Sequence, residues 1–217
     1  MKTDQQLQQD VMDELKWDPL LAASEIGVSV KNGVVTLSGY VHSFSKKYAA
    51  ENAAKRVKGV QAVAEDIQVR LGFDGKRTDS EIAEMALNAL KWDTEVPDSD
   101  LRLKVENGWI NLEGSVEWQF QKDAAVKAVR NIVGVKGVTN TISVNPKINK
   151  AVVETKIKNA LERSATVEAE GIKVETNGGK VILRGRVRSW AERRDAERAA
   201  WSSPGVKEVE DELSIMA

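Results

Sequence analysis

The chain has 217 residues, a formal net charge of -1 and no cysteine. Lack of cysteine excludes disulfides, thiol catalysis and thiolate metal sites, and the absence of a basic excess disfavours nucleic acid as a partner. Hydrophobic residues make up 41% and charged residues 30%, the balance of a soluble globular protein. No apolar run approaches the roughly 20 residues of a spanning helix. Met1-Lys2-Thr3-Asp4-Gln5-Gln6 opens no signal-peptide core. The cytoplasm is the expected address, and the periplasm only if a signal has been removed.

In chain order, Leu7, Val11 and Leu15 mark an amphipathic helix. Ile26, Val28 and Val30 alternate with Gly27, Ser29 and Lys31 in a first strand. Asn32-Gly33 forms the two-residue centre of a type I′ hairpin. Val35, Leu37 and Val41 alternate in the returning strand, leaving Thr36 and Ser38 on a polar far face. A second helix carries Ala50, Ala53, Ala54 and Val57, and Gly59 is expected to stop it as a left-handed cap. Val63 to Val69 is a last strand, and 72–76 is a short connector.

The same order then repeats. Ile82, Ala86 and Leu90 match the first helix, Leu101 and Leu103 the first strand, and Asn107-Gly108 the turn. Trp109 to Val116 aligns without a gap with Val34 to Val41. Ala128, Gly134 and Ile142 match Ala53, Gly59 and Ile67. After Asn145-Pro146-Lys147, Val153, Ile157 and Leu161 start a third copy, followed by Ile172, Val174, Gly178-Gly179, Lys180 to Val187, Ala199, Gly205 and Leu213. All length differences fall in connectors.

The fold class expected is α+β: three tandem αββαβ modules at 1–72, 78–146 and 148–217. Each is a small three-stranded, mixed sheet with two helices on one face. The helix joining the second and third strands permits a right-handed crossover onto a parallel neighbour. Glycines recur as turn and cap residues at Gly33, Gly59, Gly108, Gly134, Gly179 and Gly205. Gly39, Gly114 and Gly185 lie inside strands, where close approach of a helix to the sheet is the expected reason. A module of about 65 residues has a limited core.

Residues Val30 to Val41 resemble the centre of a BON domain (bacterial osmotic-stress and nodulation). Ala49 to Val60 resembles its second helix and glycine stop, and the frame recurs over nearly the whole chain. Copy three departs where Gly178 replaces the turn Asn and Ser203-Pro204 precedes Gly205. The resemblance implies a non-catalytic module that associates with phospholipid or membrane surfaces. It implies no cofactor, and the family occurs in osmotic-shock proteins, outer-membrane and secretin-associated proteins, and channels.

Chemistry is sparse in the residues themselves. The lone histidine, His42, aligns with Glu117 and Arg188 and reads as a surface residue at a strand end. One histidine rules out a metal site built from several imidazoles. Asp93 to Asp100 is acidic but lacks the central Gly and bidentate Glu of an EF-hand, and reads as loop and cap chemistry. No phosphate-binding glycine motif joins a strand to a helix.

The least explained residues gather at the start of helix two. They are Phe44, Lys46, Lys47 and Tyr48, then Trp118, Phe120 and Lys122, then Trp190, Arg193 and Arg194, with Arg184 and Arg186 nearby. Aromatic rings beside cations suit an acidic phospholipid surface, and equally suit packing as helix staples. Trp201 aligns with Lys55 and Arg130 and marks a candidate protein contact, as does Trp109; Trp17 and Trp92 read as structural. The function expected is stress-associated binding of phospholipid. Alternatives are a protein-interaction or chaperone-like module, and a small-ligand or cation sensor. The oligomeric state stays open.

Overall fold

The computed structural model describes residues 2–21, 26–72, 76–97, 101–146, 154–164, 167 and 171–216. The expected order occurs three times. Module one contains α1 (Asp4–Trp17), β1 (Ile26–Lys31), β2 (Val34–Val41), α2 (Phe44–Arg56) and β3 (Ala62–Val69). Module two contains α3 (Asp79–Trp92), β4 (Leu101–Glu106), β5 (Trp109–Val116), α4 (Gln119–Val129), β6 (Gly137–Asn140) and β7 (Ser143–Val144). Module three contains α5 (Glu154–Glu162), β8 (Ile172–Asn177), β9 (Lys180–Val187), α6 (Trp190–Trp201) and β10 (Glu208–Ile215). By packing, residues 1–38, 50–66 and 146–217 form one compact unit and residues 39–49 with 67–145 another.

Each sheet is mixed, with the second strand in the centre. The orders are β1-β2-β3, β4-β5-β6 with β7 also on β5, and β8-β9-β10. β4 runs antiparallel to β5 with Leu103 opposite Leu112, and β8 antiparallel to β9 with Val174 opposite Leu183. The last strand returns parallel: Trp109 faces Gly137, and Val181 faces Val209. One backbone bond closes the same corner in all three. The N–H of Gln61, Lys136 and Lys207 donates to the carbonyl of Gly33, Gly108 and Gly179 at 2.9, 2.9 and 2.8 Å.

Strand alternation puts Val35, Leu37 and Val41 inside, with Ile110, Leu112 and Val116, and Val181, Leu183 and Val187, at the matching places. Against them lie Leu7, Val11 and Leu15 of α1, Ile82, Ala86 and Leu90 of α3, and Ile157 and Leu161 of α5. The i, i+4 spacing makes one apolar stripe per helix. Val153 falls outside the described residues. Helix two buries small residues, such as Ala50, Ala53 and Ala54, which let its backbone lie close to the sheet.

Local chemistry fixes the ends. Thr3 with Gln6 and Thr78 with Glu81 form capping boxes on α1 and α3. The first residue of each helix then holds the hairpin. Asp4 accepts the N–H groups of Asn32 and Gly33 at 2.8 and 3.1 Å. Asp79 accepts those of Asn107 and Gly108 at 2.8 and 2.9 Å. Both Asn32-Gly33 and Asn107-Gly108 take positive φ, as a type I′ turn needs. In module three only Gly178 does, with φ 60, which is the φ pattern of a type II′ turn, and Gly179 does not.

Three expectations need correction. Gly59, Gly134 and Gly205 do not cap helix two, which ends earlier, at Arg56, Val129 and Trp201. They take the third position of the following turn, with φ 102, 99 and 91, closed by Val60 to Val57, Val135 to Ile132 and Val206 to Ser203. That position of a type II turn requires positive φ.

The strand glycines Gly39, Gly114 and Gly185 have φ 117, 126 and 135. What crowds Gly185 is the incoming end of β8, not a helix: a Cβ there would lie 2.0 Å from the Gly171 carbonyl oxygen. Finally, the last strand of module two is broken. Asn140 Oδ1 accepts the Ile142 N–H at 3.1 Å, and Thr141 Oγ donates to the Leu112 carbonyl at 2.8 Å.

Candidate functional site

Helix two starts alike in all modules. Ser43 accepts the Lys46 N–H at 3.3 Å, and Ser189 accepts the Glu192 N–H at 3.2 Å. Trp118 stands at the same position, and there Gln121 Oε1 accepts the N–H groups of Glu117 and Trp118, each at 3.0 Å. Glu192 is only 3% exposed, and it accepts the Arg188 N–H at 2.6 Å. Most of the aromatic and basic residues singled out in the sequence are carried on the second helix of a module, with Trp118 just ahead of α4 and Arg184 and Arg186 on β9.

Many of those cations are occupied by the fold. Lys47 and Arg193 are equivalent and both reach the last strand. Lys47 Nζ donates to the Ile67 carbonyl at 2.9 Å, while Arg193 bonds the Asp211 carboxylate at 2.6 Å and its carbonyl at 3.3 Å. The third member, Lys122, accepts from Asn140 Nδ2 through its carbonyl at 3.3 Å. Arg184 lies on the outer sheet face between Glu175 and Glu212, 2.6 Å from each. Its hydrogen bonds to Glu212, then to Glu175, hold the guanidinium above its ordinary pKa, and the Arg184 hydrogen bond holds Glu212 below the usual carboxylate range. Arg186 and Arg194 stand exposed; Phe44 and Lys46 are half-buried.

The aromatics also find partners within the chain. Trp190 is half-buried, with Lys55 Nζ 5.2 Å and the Arg193 guanidinium 5.0 Å from its ring centre. Among the described residues its buried indole N–H has no acceptor. Arg130 lies 4.6 Å from the Tyr48 ring centre. Lys55 and Arg130 hold equivalent places in modules one and two, and each covers an aromatic on the second helix of another module. Trp118 is half-buried and Phe120 exposed.

Trp201 does not stand in solvent as its alignment implied. It packs against the module-three core, and its indole N–H points to Glu197 at 3.4 Å. Conversely, Trp17 and Trp92 are not structural. They are 84% and 81% exposed, at the same helix end in modules one and two. Sequence reasoning missed them because each directly follows a buried leucine and a lysine. The available signal was helical phase, since two residues past Leu15 or Leu90 is the opposite face.

His42 sits at a strand end, with Nδ1 3.1 Å from the Arg70 carbonyl, to which a proton there donates. Asp93 behaves as loop chemistry, accepting the Glu95 N–H at 3.0 Å; Asp98, Ser99 and Asp100 lie outside the described residues. Among the described residues no group of three or more His, Asp or Glu side chains is placed to hold a metal. No described helix is long and apolar enough to cross a membrane.

Fold and surface together define a tandem array of three αββαβ modules whose chemistry lies in exposed side chains. The BON domain pattern matches residues 3–70, 78–146 and 149–217, and the chain belongs to the BON-domain family. It is 32% identical over 123 residues to the osmotically-inducible protein Y of Escherichia coli (strain K12). That match covers 53% of this chain and 59% of the relative, less than two thirds of its length. Two solved structures are of CdsD, a structural protein of the type III secretion system of Chlamydia trachomatis. Both are 13% identical with a TM-score of 0.25; one match covers 96% of this chain and 91% of that one, the other, to the C-terminal domain, 96% of each.

Proposed function

We propose that this chain is a non-catalytic, stress-associated binding protein. Its modules, taken as 1–72, 78–146 and 148–217, would attach weakly to phospholipid surfaces through Trp17 and Trp92. The exposure of these two indoles carries the reading. Each ends the first helix of its module and follows a lysine, Lys16 or Lys91. Leu20, 63% exposed, adds apolar area beside Trp17 in sequence. An indole prefers the headgroup boundary, where its apolar body is covered and its N–H stays wet. Two such anchors on one chain raise apparent affinity when both reach the same surface. The name of the Escherichia coli relative supports the link to osmotic stress.

The test is cosedimentation with phosphatidylcholine vesicles, with and without phosphatidylglycerol, across a salt series. Binding that survives salt and is lost in the Trp17→Ser, Trp92→Ser double variant supports the reading. No binding to either vesicle at low salt refutes it. A protein-interaction role is the second reading, and Trp109 favours it. This ring lies across Gly137 on the outer sheet face, where a Cβ would be 2.3 Å from it, and is 47% exposed. Capture of a partner that Trp109→Ala abolishes would distinguish that role.

A further inference from the structure

We infer that Asn32-Gly33 and Asn107-Gly108 are deamidation sites, each held shut in the folded chain by the carboxylate of Asp4 or Asp79. The inference stands apart from the lipid reading, since no tryptophan takes part in it. The chemistry belongs to an asparagine followed by glycine. The glycine backbone nitrogen gives up its proton and attacks the asparagine Cγ. A C–N bond forms, the side-chain nitrogen leaves as ammonia, and a five-membered imide results. Water, the one co-reactant, then adds to either imide carbonyl, and a C–N bond breaks to leave aspartate or isoaspartate. Glycine offers no Cβ to obstruct the attack, and Asn32 and Asn107 are both exposed to water.

The hairpins as folded oppose the first step through charge. The nitrogen that would attack in module two is that of Gly108, whose N–H donates to Asp79 Oδ1 at 2.9 Å. In module one it is that of Gly33, whose N–H donates to Asp4 Oδ1 at 3.1 Å. A carboxylate at this distance stabilises the proton that must leave and repels the amide anion that would form.

Geometry opposes it as well. The other oxygen of each carboxylate accepts the N–H of the asparagine itself, at 2.8 Å in both modules. Two consecutive N–H groups aimed at one carboxylate keep the glycine nitrogen turned toward the asparagine's own nitrogen. The imide closes only when the glycine nitrogen is turned toward the asparagine Cβ, with Cγ in reach of attack. Asn32 and Asn107 hold the same locked conformation, with φ 52 and 53.

The three copies vary together in sequence. Where the turn reads Asn-Gly, an aspartate opens the first helix. Module three reads Gly178-Gly179, and the residue aligned with Asp4 and Asp79 is Lys150. The copy without the reactive amide is also the copy without the carboxylate. Conversion is one-way and feeds back on the fold. Isoaspartate lengthens the backbone inside a two-residue turn, and aspartate brings a second negative charge to the clamp. Modules one and two therefore keep a covalent record of each opening of the hairpin, and module three keeps none.

The full chain is incubated folded at mildly alkaline pH, and aspartate and isoaspartate at positions 32 and 107 are followed by peptide mass spectrometry. Both sites should convert more slowly than in the same chain unfolded in urea. Asp79→Ala should speed conversion at Asn107 about ten-fold or more, the factor for losing a charge-assisted hydrogen bond, and leave Asn32 unchanged. Asp4→Ala should do the reverse. Asp79→Asn, which still offers an oxygen acceptor, should fall between the parent and Asp79→Ala. Ile142→Val loosens the core of module two without touching the clamp, and should leave Asn107 near the parent rate. Conversion in the folded parent as fast as in urea overturns the inference. So does an unchanged or slower rate at Asn107 in Asp79→Ala, the slower rate making the carboxylate a base and not a guard. Equal acceleration by Ile142→Val and Asp79→Ala overturns it too, since general loosening would then explain both.

Discussion

Gly185 and Gly178 are both glycines at positive φ in module three, yet their surroundings set opposite tolerances. At Gly185, with φ 135, a Cβ would meet the Gly171 carbonyl oxygen at 2.0 Å. At Gly178, with φ 60, a Cβ would meet nothing within 4 Å among the described residues. Strain of about 1–3 kcal/mol plus displacement of a backbone carbonyl is expected for Gly185→Ala, so its urea midpoint should fall steeply. Gly178→Ala should cost only the backbone strain of about 1–3 kcal/mol with no neighbour to displace, and so less than Gly185→Ala. Equal losses for the two would contradict the local account. The alignment of Gly39, Gly114 and Gly185 was legible in the sequence, but what crowds Gly185 was not, since the neighbour is a backbone atom. The same holds for tryptophans: Trp201 packs inward while Trp17 and Trp92 stand out. Side-chain type gives no direction without helix phase.

Helices and strands were legible because each carries a period. Aliphatic residues four apart mark α1 and α5, and alternation marks β2, β5 and β9. Less visible were the clamps between elements. The Asp79 carboxylate joins the first turn of α3 to a hairpin 28 residues away in sequence, and Asp4 does the same for α1. Each makes two charge-assisted bonds to backbone donors. Asp79→Ala should cost about 1–2 kcal/mol in urea unfolding, and Asp79→Asn less, because an amide oxygen still accepts.

On the outer face of β9 and β10, acid should have a directional effect. Glu212 titrates below its unfolded value because Arg184 bonds the ionised form. Its contribution is therefore complete above the ordinary glutamate pKa of about 4.3. It is lost as pH falls through the lower folded value. The melting-temperature difference between the parent and Glu212→Gln should be largest near neutral pH and shrink under acid. High salt should reduce it throughout, since the pair is exposed.

Modules were readable from the repeat, whereas contacts between modules were not. The pairing of Lys55 with Trp190 joins chain segments more than a hundred residues apart, and the aligned position in module two places Arg130 on Tyr48. A repeat specifies what each copy does for itself; it is silent on which copy's cation meets which copy's ring. These contacts change the meaning of the aromatic–basic edges, which resembled lipid-facing surfaces when each module was taken alone. Lys55 also pairs with Glu51, so truncating Lys55 alone would report both partners. A double-mutant cycle isolates the ring contact. Lys55→Ala and Trp190→Leu, singly and together, should show coupling of about 0.5–1 kcal/mol in urea unfolding, the range for a partly exposed cation over an indole. Arg130→Ala with Tyr48→Leu should give a coupling of similar size and sign. Coupling indistinguishable from zero in both cycles would return Trp190 and Tyr48 to the pool of rings available for a membrane or a partner. Coupling in both would assign them to holding the modules together and leave Trp17 and Trp92 as the surface anchors.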